Sequence, residues 1–271
     1  MLEPSKLKPG SLENPLRRIW ANNQVVINGW LHIPSSFASE VMAHQGWDSL
    51  TLDTQHGPYD FSSAVSMIQA IQTTPTAVVA RVTWNDPGII MKYLDAGVHA
   101  IICPMVNTQA ECEAFVGACR YPPRGFRSYG PTRAALHFGP EYAATANDFV
   151  VTMPMIETAQ ALENLEQILD VPGVDAIFVG PGDLGQALYG KAQIDRETPE
   201  FLVTLERIAK AARAKGIQAG IFTGSSAYAK KMIEIGYNFV TISSDARLLA
   251  TAAKQVLNDI KNDTGQAKSG Y

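Results

Sequence analysis

Apolar, β-branched runs alternate with amphipathic stretches from one end of the chain to the other. The runs are VVINGWLHI (from Val25), SLTLDT (from Ser49), TAVVARV (from Thr76), AIICPM (from Ala100), VVTMPMI (from Val150), DAIFVGP (from Asp175), QAGIF (from Gln218) and FVTISS (from Phe239). Their hydrophobicity is continuous, as expected of parallel strands covered on both faces. Helical spacing fills the gaps between them. Phe61, Val65, Ile68 and Ile71 follow at steps of four, three and three, and Leu162, Leu165 and Ile168 repeat every three residues. Capping chemistry falls at matching places. Asp86 before Pro87 has the form of an N-cap with proline at the first helical position. Thr108 with Glu111 fits a capping box, and Gly97, Gly216 and Gly236 each end a helical stretch just before a strand.

Eight strands alternating with eight helices predict one α/β domain over residues 1–271, a (β/α)8 TIM barrel, with an open doubly wound sheet as the competing architecture. Within residues 1–24, LENPLRRIWANN predicts an extra N-terminal helix plugging the barrel bottom, and residues 262–271 predict a frayed polar tail. One connection departs from the rhythm. Residues 122–149 are long for a loop, and loops of that length without a framework are functional or disordered as a rule. The aromatic and arginine content of this one favours packing, so it is expected to cover a site or to reach a neighbouring subunit.

Composition then excludes whole classes. With 46% hydrophobic residues and a net charge of -4, the chain is too apolar and too weakly charged for disorder. No apolar run is long enough to span a membrane, and MLEPSKLKPG has no apolar core of the kind a secretory signal needs. The three cysteines, Cys103, Cys112 and Cys119, are too few for a disulfide framework, which points to a reducing cytoplasm. The slight acidic excess, 22 basic against 26 acidic residues, argues against a nucleic-acid surface. An enzyme acting on small molecules is the expectation that remains.

Barrel chemistry lies at the C-terminal ends of the strands. The polar residues there are Asp53 with His56, Arg81, Glu157, Asp183, and the run Ser243, Ser244 and Asp245. Glu157 ends the apolar stretch MPMIET, and Asp183 follows VGPG at the next strand end. Adjacent strands lie about 4.7–4.9 Å apart, so two such carboxylates repel and call for a proton or a cation. Oxygen ligands without cysteine or histidine suit a hard divalent ion. A plain structural role is the alternative, with Asp183 as a helix N-cap and Glu157 paired to an arginine. Gly182 and the start of DLGQAL offer N–H groups at a helix N-terminus, suited to a carboxylate or serving only as a turn. Asp53 and His56, three apart, suit an aspartate that orients an imidazole for proton transfer, or a structural loop pair. Arg81 interrupts TAVVARV, where a guanidinium needs an anion: a structural carboxylate, or a carboxylate or enolate ligand. His32, His44 and His99 read as structural, and His137 as a weak candidate. No lysine falls at a strand end, so a Schiff base has no evident nucleophile, and no glycine-rich phosphate loop is present.

LDTQHGPYD, RVTWND, LDAGVHAIICPMV, the run from RYPPRGFRSYGPTRA, PMIET and ILDVPGVDAIFVGPGDL, in this order, resemble the HpcH/HpaI family of class II pyruvate aldolases. The match is dense from Thr51 to Leu184 and looser beyond. The resemblance implies a barrel whose last helix is exchanged between subunits, in a homohexamer built from dimers. It implies a divalent metal, Mg²⁺, Mn²⁺ or Co²⁺, on Glu157 and Asp183, with pyruvate bound there through its carboxylate and keto oxygens. Arg81 would hold the keto or enolate oxygen, the amides of Gly182 and Asp183 the carboxylate, and His56 with Asp53 would exchange the proton. Asp95 matches a residue at the subunit interface near the site. The implied reaction is reversible cleavage of a 4-hydroxy-2-oxo acid to pyruvate and an aldehyde. Oxaloacetate decarboxylation, or chemistry like that of the similar macrophomate synthase branch, would use the same enolate; an inert 2-oxo-acid-binding barrel is the non-enzymatic alternative. Gln55 and Met155 depart from the pattern, which often has an acidic residue and a glutamine there.

Overall fold

Residues 12–263 are described by the computed structural model, so the first eleven residues and the tail from residue 264 lie outside the described part. Eight parallel strands follow the eight apolar runs: β1 (Val26–Leu31), β2 (Ser49–Asp53), β3 (Ala77–Arg81), β4 (Ala100–Cys103), β5 (Val151–Ile156), β6 (Ala176–Val179), β7 (Gln218–Thr223) and β8 (Phe239–Ile242). They pair in sequence order, and β1 pairs with β8 through Val26↔Phe239, Ile27↔Val240 and Asn28↔Thr241. That last pairing closes the barrel and eliminates the open sheet.

Two apolar layers result. Inside the barrel, Val79, Ile102, Met153, Phe178 and Phe239 pack together, and Leu16 and Trp20 join them from below. Those two residues come from the N-terminal helix Pro15–Ala21, which forms as expected with Pro15 at its first turn. Its cap, Asn14, also donates from Nδ2 to the carbonyls of His99 (2.9 Å) and Phe149 (2.8 Å), tying the plug to the barrel floor. Outside, the apolar stripe of Ile68 and Ile71, with Leu94, Phe115, Leu205 and Met232 from other helices, covers the strands. Both buried faces explain why the strands read as continuous apolar runs.

The expected caps form. Asp86 accepts from the Ile89 amide at 2.8 Å, Thr108 and Glu111 make a reciprocal capping box, and Gly97, Gly216 and Gly236 have φ of +92°, +73° and +117°. The stretch after β5 differs from a single helix. A strict three-residue repeat drifts around a helix of 3.6 residues per turn. The chain resets at Asn164, which separates Ala159–Glu163 from Leu165–Leu169 and donates to the Asn107 carbonyl at 2.8 Å.

Residues 122–149 are not a structureless loop: they contain the helices Thr132–Phe138 and Tyr142–Phe149. The segment joins the helix Gln109–Cys119 to β5, so it lies where strands begin. Phe138 packs against His99 (5.1 Å), Tyr142 (5.5 Å) and Phe149 (4.9 Å). Within this chain it therefore does not cover the barrel mouth, because a helix-to-strand connection returns to the opposite end.

The last helix, Asp245–Asp263, leaves the barrel. Every residue from Arg247 to Lys261 is exposed. No helix among the described residues is long and apolar enough to cross a membrane.

Candidate active site

The register places Asp53, at the end of β2, directly beside Arg81, at the end of β3. The guanidinium grips the carboxylate with two bonds, Nε to Oδ1 at 2.9 Å and Nη2 to Oδ2 at 2.6 Å. Trp30, on β1, donates from Nε1 to Oδ2 at 3.1 Å, and its ring lies 4.9 Å beneath the Arg81 carbon. His32, the residue after β1, brings Nε2 to 2.7 Å from the same oxygen. Burial alone would raise the Asp53 carboxyl, but the His32 hydrogen bond and the Arg81 charge outweigh it and hold it well below the usual carboxylate range. Asp53 is then an acceptor only, so His32 Nε2 is assigned as the donor of that bond.

This arrangement corrects one expectation. Asp53 does not pair with the imidazole of His56; it accepts the backbone amides of Gln55 and His56, both at 3.2 Å. The cause is the tight turn that follows β2, closed by the Gly57 amide on the Asp53 carbonyl at 2.8 Å. Three residues of separation deliver the amide, not the ring. The imidazole that Asp53 does hold belongs to His32, expected from the sequence to be structural. Its signal was its place: it directly follows a strand, as Glu157 does. Its backbone and that of Ile33 donate to Asp245 at 2.8 and 3.1 Å, so Asp245 clamps the end of β1. Ser243, just before, takes a left-handed φ of +59° that turns the chain there.

Across the mouth, Glu157 follows β5 and is buried, its Oε1 accepting the Met105 amide at 2.7 Å. Burial lifts its carboxyl to about 7, and the negative charge of Asp183 pushes the same way against the Met105 amide and Arg81. Asp183 lies in the first turn of the helix Pro181–Tyr189, whose cap is Gly180. The structural alternatives for this pair are not what forms: Asp183 is not the cap, and among the described residues Glu157 has no arginine within ion-pair distance. The chemistry of the pair suits a divalent cation. Both donors are oxygens, one is buried under like-charge repulsion, and a Cβ at position 180 would stand 2.6 Å from Glu157 Oε2, so glycine keeps that oxygen's approach clear. Among the described residues no cluster of three or more metal-ligating side chains exists. Two carboxylates would leave further positions to water or substrate.

A cavity of about 210 Å³ opens at this end, with His32, Asp53, His56, Arg81, Gly180, Gly182 and Asp183 on its wall; Glu157 adjoins it at Gly180 without lining it. Trp30, Met155, Phe178, Phe222 and Ile194 supply the apolar lining, and no lysine lines it among the described residues. Gly180 offers no side-chain cap, so first-turn N–H groups of the helix Pro181–Tyr189 remain for an anion. Asp95 is not brought here within this chain. It ends the helix Pro87–Asp95, which runs back toward the strand starts, and pairs with Arg127 at 2.6 Å. His99 is also remote: buried at the start of β4, it accepts the Val78 amide and burial pushes it down to about 3.

A family model for HpcH/HpaI aldolase/citrate lyase matches residues 30–252, and the chain belongs to that family. A hydroxypyruvate/pyruvate aldolase from Rhizorhabdus wittichii is 39% identical over 248 residues, spanning 92% of this chain and 99% of that one. A 4-hydroxy-2-oxo-heptane-1,7-dioate aldolase from Escherichia coli is 37% identical over 246 residues, 90% of this chain and 93% of that one. Among solved structures, an HpcH/HpaI aldolase/citrate lyase family protein from Burkholderia cenocepacia superimposes with a TM-score of 0.85 at 31% identity. It covers 91% of this chain and 98% of its own.

Removing Asp53 leaves the Arg81 charge buried without its partner. Asp53→Ala is expected to lose about 3–5 kcal/mol of stability, measured by urea unfolding. His56→Ala is expected to stay within about 0.5 kcal/mol of wild type. Equal losses in the two variants would contradict the pairing described.

Proposed function

We propose that this chain is a class II pyruvate aldolase. It reversibly cleaves a 4-hydroxy-2-oxo acid to pyruvate and an aldehyde, with Mg²⁺, Mn²⁺ or Co²⁺ held by Glu157 and Asp183. The observation that carries the reading is a cavity walled by a forked, buried guanidinium and by Asp183, whose charge raises the carboxyl of the buried Glu157 close by. When bound, the cation supplies Lewis-acid polarisation of the keto group.

The chain's own residues do the remainder. Amides of Gly182 and Asp183 receive the substrate carboxylate at the helix N-terminus. Cleavage breaks the C3–C4 bond and leaves its electron pair on the pyruvate fragment as an enolate. Arg81 offers that developing charge a fixed positive group: two of its five N–H donors are held by Asp53, and the others remain for a ligand. His56 takes the 4-hydroxyl proton, directly or through water, and the enolate carbon takes a proton from water to become the pyruvate methyl group; condensation reverses both transfers. Loss of CO2 from oxaloacetate produces the same enolate and belongs to the same reading as a second activity.

Assembly is part of the proposal. Leu249, Val256 and Leu257 are 63%, 64% and 58% exposed on the outlying last helix, while Phe37 and Val41 are 72% and 46% exposed on the helix Ser36–Ala43 beside β1. A second copy that lays its last helix over that face would cover both sets, in a homohexamer built from such dimers. The compartment proposed is the cytoplasm.

Arg81→Ala leaves Asp53 without its cation and is expected to lose about 3–5 kcal/mol of stability. Assayed below its melting temperature with coupled pyruvate detection, it is expected to lose on the order of 100- to 1,000-fold in kcat, and Arg81→Lys to recover little because lysine cannot fork. Wild-type turnover in either would remove Arg81 from the mechanism. The Glu157 carboxyl, raised from 4.5 to about 7, makes the metal-free fold lose stability as pH rises from 4.5 to 7, with the full penalty above 7. At about 1.36 kcal/mol per pH unit, this sums to roughly 3 kcal/mol. Glu157→Gln is therefore expected to melt higher than wild type at pH 8 without metal and near wild type at about pH 4; adding Mn²⁺ should stabilise only the wild type. The opposite pH trend would contradict the burial of this charge. Light scattering should find a mass of several chains, reduced by Leu249→Arg with Val256→Asp. A monomeric wild type would refute the exchange.

A further inference from the structure

Residues 190–198 run from the helix Pro181–Tyr189 to the helix Pro199–Ala214 and return to the mouth on the way. Trp30, Met155, Phe178 and Phe222 stand on strands; Ile194 reaches the same cavity wall from this connection. It is also the outermost of them. Ile194 is 38% exposed, whereas Trp30, Met155 and Phe178 are at most 2% exposed.

The connection is fastened on both sides of Ile194. Asp195, at a left-handed φ of +57°, accepts the Gly224 amide on Oδ1 and the Ser225 hydroxyl on Oδ2, each at 2.7 Å. Those donors lie between β7 and the helix Ser226–Ile235, a natural place for an anion, and the chain fills it with its own carboxylate. Gly224 makes the close approach possible, since a Cβ there would stand 3.1 Å from Ile194 Cγ2 and 3.2 Å from Asp195 Oδ2. Next to Asp195, Arg196 is buried, lies 4.6 Å over the Tyr189 ring and reaches back past Ile194 to donate to the Lys191 carbonyl at 2.8 Å, while Tyr228 donates to the Arg196 carbonyl at 2.7 Å.

We propose that Ile194, positioned by Asp195, is the specificity-determining residue that limits the length of the aldehyde condensed with pyruvate, making short-chain aldehydes the acceptor class. The inference rests on the aldolase reading. In that reading the buried Arg81, with Trp30 and Phe178, marks the inner end of the cavity where the reacting end of pyruvate is held, so the second reactant lies outward, towards Ile194. The cavity, about 210 Å³, is below the usual range of roughly 300–1,000 Å³ for ligand pockets, which favours a small acceptor. One methylene too many against a fixed apolar wall costs about tenfold or more in kcat/KM.

The test uses the metal-loaded enzyme, pyruvate and a series of unbranched aldehydes of rising length. Wild type is expected to lose kcat/KM along the series. Ile194→Ala is expected to shift the long-to-short ratio by about tenfold or more, with Ile194→Leu close to wild type. Asp195→Ala should shift it in the same direction, Asp195→Asn less, and Asp195→Ala should speed hydrogen exchange at the Gly224 amide. Exchange of pyruvate methyl protons with deuterated solvent, measured without aldehyde, reports the pyruvate half alone and is the reference against which each variant's length ratio is read. An unaltered length ratio in Ile194→Ala, with that exchange intact, overturns the proposal. An unaltered ratio and amide exchange in Asp195→Ala overturns the positioning role. Wild type with no methyl exchange overturns the aldolase reading instead.

Discussion

Asp53 has no exposed surface, yet it carries a full charge at the mouth of the barrel. Ions taken out of water cost several kcal/mol unless geometry returns it, and here the return comes from donors on neighbouring strand ends. Trp30 and His32 reach over from β1, Arg81 from β3, and the turn after β2 adds two amides. One carboxylate thus fixes the relative positions of three strand ends and the direction of the guanidinium. Arg81 spends two donors on this pair and keeps the rest for the cavity, so its charge is oriented without being used up.

Glu157 occupies the matching place on the far wall under opposite pressure. Both carboxylates are buried at the same end of the same barrel. Asp53 is surrounded by a cation and several donors and is driven to ionise; Glu157 has one amide and a like-charged neighbour and is driven to hold its proton. A fold optimised only for stability would have relieved that strain with a neutral side chain of the same shape. The unrelieved repulsion is what makes an added positive charge favourable there, and it follows from placing two acids on adjacent strand ends.

Much of this was legible in the residues. Parallel strands buried on both faces leave unbroken apolar runs, so the eight strands stood out, and Arg81 stood out because it broke one. The registration of Asp53 with Arg81 follows from both ending neighbouring strands. The Asp53–His56 spacing misled for a physical reason: residues three apart across a tight turn meet through backbone amides, while a side chain on the next strand, 21 positions earlier, meets face to face. Residues 122–149 hid their two helices because neither carries a side-chain N-cap. Their buried face is instead aromatic, gathered around His99 by contacts no local pattern encodes.

The floor of the barrel shows why burial of an arginine is a poor guide to function taken alone. Arg120 pairs with Asp175 at 2.9 Å and Arg127 with Asp95 at 2.6 Å, both guanidiniums more deeply buried than Arg81. Arg127 is moreover packed over the Tyr121 ring at 4.5 Å, and Arg120 donates to two carbonyls beside its carboxylate. These arginines hold the strand starts and the 122–149 segment together, and their surroundings are protein. Arg81 differs in lining a cavity whose wall also carries Asp183, with the buried Glu157 close by. The same ion pair serves as a strut where packing closes over it and as a charge-stabilising device where the strand ends leave it open.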